Sequence, residues 1–137
     1  LDHVEKIIFH EYGNYLGLNG ISSARMETRK EILHRLKVAK QYMDDAFLAI
    51  REIHEVASVC NMSEFHFFRS FKQAFHNTPY QYLLNKRLQL AKDLISAGGM
   101  SVTDVAARCN FPDVFTFSKA FKRQFNISPS QYPAVGR

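Results

Sequence analysis

Apolar residues recur at every third or fourth position along most of the 137-residue chain, the spacing that collects side chains on one face of an α-helix. Residues 1–16 follow this period up to Gly17, and a longer helix is predicted after the "GLNG" loop. The inner face of that helix consists of Ile32, Leu33, Leu36, Ala39 and Met43. No stretch alternates apolar and polar residues as a half-buried strand does, so we predict an all-α fold.

Side chains that cap helix N-termini stand before several predicted helices. A helix from Pro79 to about Ser96 is expected to end at Gly98-Gly99, since glycine commonly terminates helices. The predicted caps are Thr28 with Glu31, Ser63, Thr78 before Pro79, Ser101 with Asp104, and Ser128 before Pro129.

The sequence contains an internal repeat. "FKQAFHNTPYQY", residues 71–82, returns as "FKRQFNISPSQY", residues 121–132. Upstream, "VASVCN" returns as "VAARCN" after 49 positions rather than 50, because the second turn is one residue longer. Each copy has the order short helix, tight turn, longer helix, which is typical of a helix-turn-helix motif. A solenoid would need at least about three copies. We therefore predict two helix-turn-helix subdomains joined by the helix of residues 79–96.

The longer helix of each copy has two distinct faces when its residues are placed at roughly 100° intervals. The inner faces are predicted to be Phe67, Ser70, Phe71 and Ala74 in the first copy and Phe117, Ala120 and Phe121 in the second. The outer faces, with their flanks, are Phe65, His66, Phe68, Arg69, Lys72, Gln73 and His76, and Phe115, Thr116, Ser118, Lys119, Lys122, Arg123 and Asn126. Both copies thus place a basic pair outward beside an aromatic residue near the helix start.

The net charge of +5 is unevenly distributed. Residues 1–64 hold 8 Lys and Arg against 10 Asp and Glu, a balance of −2, whereas residues 65–137 hold 10 against 3, a balance of +7. This asymmetry indicates a polyanionic partner, nucleic acid before membrane, although a solvated basic surface is the simpler alternative. Phe65 and Phe115 likewise have two interpretations: contact with thymine methyl groups, or packing against the preceding turn.

The sequence gives little support for catalysis or metal binding. Cys60 and Cys109 occupy matching positions in the two copies, so each is expected to fill the core of its own unit rather than form a disulfide. None of the six His residues has ligand spacing, and no glycine-rich phosphate loop is present. We expect no metal, no other cofactor and no enzymatic activity. No apolar run approaches the roughly 20 residues that cross a bilayer, so a cytoplasmic protein without membrane contact is expected.

The connecting helix has a length suited to placing the two outer faces in two successive major-groove segments of DNA. Some 18 residues at about 1.5 Å each span roughly 27 Å. With its capping turns, this helix can hold the two outer faces about 34 Å apart, one turn of a DNA duplex. One chain would then read two successive major-groove segments, and the site would be asymmetric because the two faces differ.

One set of residues spread over both copies has a characteristic spacing: Ala57, Met62, Ser63, Phe67, Arg69, Phe71, Lys72, Pro79, Tyr82, Arg87, Ala91, Val105, Ala106, Phe111, Phe117, Lys119, Phe121, Lys122, Pro129 and Tyr132. In these residues, and over about residues 38–132, the chain resembles the AraC/XylS family of bacterial transcription regulators, in its C-terminal DNA-binding domain. The resemblance implies promoter binding by two helix-turn-helix motifs and recruitment of RNA polymerase. It also implies a separate effector or dimerisation domain, for which residues 1–37 are too short, so the chain is interpreted as a piece of a longer protein.

Some positions depart from the family pattern. His76, Asn110 and Asn126 stand where glycine is usual, at helix ends or turns that favour a left-handed backbone. Glu52 replaces a capping serine, so the first short helix is expected to begin loosely. Phe68 takes a place often held by a polar side chain that contacts bases, and Arg87 is expected to form an internal salt bridge.

The sequence therefore predicts a DNA-binding transcription regulator, an activator, that binds double-stranded promoter DNA and whose isolated domain is monomeric. A helical module that docks an acidic protein is the alternative. The predicted organisation is an N-terminal helical extension (1–37), a first subdomain (38–78), a linker helix (79–96) and a second subdomain (97–132). The residues predicted to contact DNA are Ser63, Phe65, His66, Phe68, Arg69, Lys72, Val114, Phe115, Ser118, Lys119, Lys122 and Arg123.

Overall fold

The computed structural model of the protein describes residues 23–134, and the helix predicted for residues 1–16 lies outside them. Between residues 23 and 134 the chain is helical and contains no strand, which confirms the all-α prediction. The α-helices are α1 (Ser23–Ala46), α2 (Ile53–Val59), α3 (Glu64–Phe75), α4 (Pro79–Ala97), α5 (Val102–Arg108) and α6 (Val114–Phe125), followed by a 3₁₀ helix (Pro129–Gln131).

The chain divides into two compact units, which meet in sequence between Tyr82 and Leu83, inside α4. In the first unit, helices α1, α2 and α3 all contact one another. The predicted inner face of α1 is confirmed for four of its five members, while Ile32 is half-buried. Those four buried residues are Leu33, Leu36, Ala39 and Met43.

The second unit has the corresponding core. Leu88 and Ala91 of α4 pack with residues of α5 and α6, and Cys109 lies among them. Cys60 is also buried, in the first unit, and both cysteines are free thiols, as predicted from their matching positions.

The two copies of the repeated sequence form matching stacks of aromatic rings. In the first unit, ring centroids are 5.5 Å apart for Phe67 and Phe71, 4.7 Å for Phe71 and Phe75, and 5.8 Å for Phe71 and Tyr82. The second unit repeats these separations as 5.6, 4.6 and 5.7 Å. The tilted and edge-on ring geometries are those that aromatic quadrupoles favour. The matching rings of the second stack are Phe117, Phe121, Phe125 and Tyr132.

Helix ends use non-glycine residues with a left-handed backbone, as predicted. His76 and Asn126 end α3 and α6 with φ values of 61° and 61°, and Asn110 lies in the turn after α5 with φ 62°. Asn61 adopts the same conformation, with φ 57°, in the corresponding turn of the first unit. Helix α4 ends one residue later than predicted, before Gly98, whose φ is 77°.

Most predicted caps form. The Ser101 side chain accepts a hydrogen bond from the Asp104 amide at 3.0 Å. Thr78 and Gln81 make reciprocal bonds of 3.0 Å, a complete capping box at the start of α4. Glu52, as expected, makes no capping bond.

One predicted cap is wrong, and another is in place without a side-chain bond. Thr28 and Glu31 lie inside α1, because the strong helix formers that precede them extend the helix back to Ser23. Glu31 instead accepts a hydrogen bond from Arg35, one turn further along, at 3.0 Å. Ser128 is the N-cap of a short 3₁₀ helix that begins at Pro129, as predicted, but its side chain makes no capping bond; its hydroxyl lies 3.3 Å from that of Ser130.

The repeat also includes residues upstream of those aligned from the sequence. "RLKVAK", which begins at Arg35, returns as "RLQLAK" at Arg87, 52 positions later rather than 49 or 50. The ammonium nitrogen of Lys40 lies 5.1 Å from the centre of the Phe75 ring, and that of Lys92 lies 5.4 Å from the centre of the Phe125 ring. Helix α4 therefore contributes to the second unit nearly the same residues that α1 contributes to the first.

Arg35 shows what the first residue of this repeated segment does. Its guanidinium donates a hydrogen bond of 3.1 Å to the carbonyl oxygen of Asn61, in the turn between α2 and α3. This bond ties α1 to the turn of the helix-turn-helix motif. The internal salt bridge expected for Arg87, at the matching position, remains a prediction.

We predict that Arg35→Ala lowers the free energy of unfolding by about 1 kcal/mol, because the Asn61 carbonyl loses a charged donor. The control is Glu31→Gln, which removes only the exposed ion pair with Arg35 and should cost less than about 0.5 kcal/mol. Urea denaturation followed by circular dichroism measures both values. Equal losses in the two variants would show that the bond to Asn61 contributes nothing.

Candidate nucleic-acid interface

Helices α3 and α6 each bury one face and expose the other. Phe67 and Phe71, and in the second unit Phe117 and Phe121, are fully buried, as predicted for the inner faces. Phe65 is 72% exposed. Phe115, at the matching position of α6, is 70% exposed, so neither ring packs into the core and that interpretation of them is excluded.

An exposed cation lies over each of these exposed rings. The guanidinium carbon of Arg69 is 5.6 Å from the centre of the Phe65 ring. The ammonium nitrogen of Lys119 is 5.2 Å from the centre of the Phe115 ring. Such cation–π contacts contribute about 0.5–1 kcal/mol at exposed sites and hold a flexible basic side chain in place. Each helix therefore presents an ordered pair of one ring and one cation, four residues apart.

The remaining predicted contact residues lie on the same outer faces or at their edges. In the first unit the predicted residues Ser63, Phe65, His66, Phe68, Arg69 and Lys72 are all exposed. In the second unit Val114, Phe115, Lys119, Lys122 and Arg123 are exposed, and Ser118 is half-buried. Each set belongs to one helix and its cap, so the structure brings each set together within its own unit. Contact with DNA by these residues stays a prediction.

Both helices have a side-chain cap at the N-terminus. The Ser63 hydroxyl accepts a hydrogen bond from the His66 amide at 3.2 Å, as predicted. Before α6, the carboxylate of Asp113 accepts one from the Thr116 amide at 2.6 Å and another from the Thr116 hydroxyl at 3.1 Å. Asp113 was not among the caps predicted from the sequence, although Asp immediately before an amphipathic helix is a standard capping signal.

The hydrogen bonds at Asp113 change its acidity. The backbone amide of Thr116, followed by the Thr116 hydroxyl, stabilises the charged carboxylate and lowers the pKa of Asp113 from 3.8. A group whose pKa is lower in the folded state stabilises the fold above its unfolded pKa, and this contribution is lost as the pH falls through the lowered value.

The two cysteines have environments that suppress their reactivity. Burial raises the pKa of the Cys60 thiol, and it raises that of Cys109 to about 11. Both thiols are therefore protonated at neutral pH, the unreactive form for nucleophilic attack. Across the part of the chain that the structure describes, no three His, Cys, Asp or Glu side chains form a group that could hold a metal ion. None of the helices described is long and apolar enough to span a membrane.

Tyr82 anchors the start of α4 to α1. Its hydroxyl donates a hydrogen bond to the carboxylate of Asp44. Burial, together with this bond and the charge of Asp44, raises the pKa of Tyr82 above its ordinary value of 10.0. Tyr82 therefore stays protonated and keeps this donor over the physiological pH range.

Comparison with known proteins agrees with this arrangement. A family model described as a helix-turn-helix domain matches residues 56–134. The chain is 39% identical over 80 residues to the probable transcriptional regulator LumQ of Photobacterium leiognathi, covering 58% of this chain and 32% of that protein. It is 35% identical over 107 residues to the transcriptional activator RhaS of Escherichia coli, covering 78% of this chain and 38% of RhaS. The chain thus spans about a third of the length of these relatives.

Solved structures show the same fold. The DNA-binding domain of the global transcriptional factor AdpA, crystallised in complex with a target DNA, matches with a TM-score of 0.67 and 26% sequence identity. The match covers 72% of this chain and 88% of the AdpA domain.

Two helix-turn-helix motifs with exposed basic faces define a DNA-binding domain of a transcription regulator. The chain belongs to the AraC/XylS family of such regulators, as the family model and these relatives show. LumQ is described as a probable transcriptional regulator, RhaS as a transcriptional activator and AdpA as a global transcriptional factor.

We predict that acidification below pH 3.8 destabilises the second unit through protonation of Asp113. Asp113→Asn keeps an oxygen that can accept the Thr116 amide but does not titrate, so its stability should fall less steeply with pH. Urea denaturation midpoints from about pH 5 to about pH 2 measure this, with Asp93→Asn as a control on an exposed carboxylate inside α4. Parallel curves for the wild type and Asp113→Asn would contradict the prediction.

Proposed function

We propose that this chain activates transcription by binding an asymmetric promoter site, with α3 and α6 reading two successive major-groove segments. The observation that carries the proposal is the repeated outer pair, Phe65 with Arg69 and Phe115 with Lys119. A solvated basic surface would not require an exposed aromatic ring beneath a cation at the same place in both copies. AdpA, whose domain has the same fold, was crystallised on a target DNA, and RhaS is named an activator.

The chemistry of each outer face fits the major groove. Arg69 can donate two hydrogen bonds to the O6 and N7 atoms of guanine, and Lys119 can bond the same atoms. The exposed rings suit the methyl group of thymine. Lys72 and Lys122 lie two turns from the helix starts, where basic side chains meet phosphates. Phosphate contacts set the position of the protein, and contacts to base edges supply sequence preference.

The length of α4 is consistent with contact to two successive major-groove segments. Its 19 residues extend about 28 Å, compared with roughly 34 Å between successive major-groove segments on one side of the duplex. We further propose that the isolated domain binds as a monomer, that it contacts RNA polymerase at the promoter, and that it acts in the cytoplasm. The division into an extension (1–37), subdomains 38–78 and 97–132 and a linker (79–96) belongs to the same proposal.

The decisive test is selection of bound duplexes from a random pool, followed by measurement of Arg69→Ala and Lys119→Ala on the recovered site. Each substitution should cost about 1–3 kcal/mol and relax sequence preference at different base pairs, about ten apart. Lys37→Ala, an exposed lysine of α1, is the control for loss of one charge and should keep the sequence preference. If both alanine variants relaxed the same base pairs, the two-segment proposal would be wrong.

Salt dependence separates DNA binding from docking of an acidic protein. Affinity for the selected duplex should fall steeply with salt, since cations released from phosphates drive binding. Lys72→Ala and Lys122→Ala should each reduce the slope of log affinity against log salt by about 1 and weaken all sequences alike. Weak binding that shows neither a salt slope nor a preferred sequence would overturn the proposed function.

A further inference from the structure

An apolar cleft borders the start of helix α3. It has a volume of about 570 Å³ and is lined by Ile53, Glu64, Phe65, Phe68 and Tyr80. Phe68 is 42% exposed and Tyr80 62% exposed, in addition to the exposed ring of Phe65. Scattered apolar residues on a surface are ordinary, whereas here three exposed aromatic rings border one cleft.

The fold does not require this cleft. At the positions that match Phe68 and Tyr80, the second copy has Ser118 and Ser130, and Val114 matches Glu64. The second unit nevertheless keeps the same aromatic stack, with ring separations within 0.1 Å of the first. Phe68 and Tyr80 therefore serve something other than the packing that both units share.

The surroundings of the cleft indicate a DNA base rather than a protein side chain as its occupant. Three of the lining residues belong to the first two turns of α3, the part of a reading helix that meets base edges. Arg69, which stacks on Phe65, and Lys72 lie on the same exposed side and favour the approach of an anionic duplex. Phosphate has no donor among the lining side chains other than the Tyr80 hydroxyl, and Glu64 would repel it.

In the major groove, thymine is the base with an apolar group at its edge, the C5 methyl. We propose that the cleft of Ile53, Phe65, Phe68 and Tyr80 receives thymine methyl groups, so that the half of the site read by α3 depends on thymine through Phe68. The carboxylate of Glu64 is placed to accept a hydrogen bond from the amino group of a neighbouring cytosine or adenine. This inference rests on the proposed function and adds the base preference of one half of the site.

The second half of the site differs in its chemistry. Ser118 carries a hydroxyl that donates to or accepts from any base edge, so it supplies no methyl preference at the position of Phe68. Phe115 alone can contact a methyl group there. Loss of thymine methyl groups from the half of the site read by α3 should therefore weaken binding more than their loss from the half read by α6.

The experiment replaces each thymine of the selected duplex, one at a time, with deoxyuridine, which removes the methyl group and keeps base pairing. The half read by α3 is first identified as the one relaxed by Arg69→Ala. Deoxyuridine in that half should weaken binding about fourfold at each contacted thymine, the value expected for burial of one methyl group. Phe68→Ser, which installs the residue of the second copy at an exposed position, should reduce this effect to less than about twofold.

The control variant is Lys72→Ala, which should weaken binding to thymine and deoxyuridine duplexes equally and keep their ratio. A selected half-site without thymine, or equal binding of both duplexes by the wild type, would overturn the inference and leave the proposed function intact. A fourfold loss that persists in Phe68→Ser would remove the cleft as its cause. Failure of the wild type to bind any selected duplex would instead overturn the proposed function.

Discussion

The stack of aromatic rings in each unit is the interaction on which the rest of the structure depends. Phe71 contacts Phe67, Phe75 and Tyr82, so one ring joins the inner face of α3 to the first turn of α4. Phe121 likewise joins the inner face of α6 to Tyr132, the residue that ends the 3₁₀ helix. Full burial of such a ring contributes about 1.5–3 kcal/mol. With these rings fixed, the opposite face of each helix is fixed as well, because helix geometry places its residues outward.

Much of this arrangement could be predicted from the sequence. Helical periodicity separated the buried rings from the exposed cations correctly, since burial of Phe67 and Phe71 leaves Arg69 and Lys72 no inward position. Left-handed backbone at His76, Asn110 and Asn126 followed from the family resemblance, because these residues stand where glycine is usual at helix ends and turns. These are local rules, in which a few neighbouring residues determine the conformation.

The sequence-based predictions were incomplete in two situations. In one, neighbouring residues favoured a different local structure; in the other, the residues that interact are far apart in the sequence. Strong helix formers upstream of Thr28 start the helix earlier, and Ser128 stands at the N-cap position without making a side-chain capping bond. The role of Arg35 was missed because its partner, the Asn61 carbonyl, is 26 residues away. The second "RLxxAK" segment was missed because its spacing differs by two to three residues from the rest of the repeat. Periodicity could not decide between core and surface for Phe65 either, since an aromatic residue at a helix start is compatible with both.

The matching ring separations of the two stacks have a consequence for how such a protein can change. Every residue of the two stacks is buried or half-buried, whereas the differences between α3 and α6 lie mainly on their outer faces. Substitutions on the outer faces therefore leave both ring stacks intact, which is the condition under which a duplicated motif can diverge. If the two helices read separate DNA segments as proposed, one half of the scaffold can acquire new recognition properties while the other half holds the protein at its existing site.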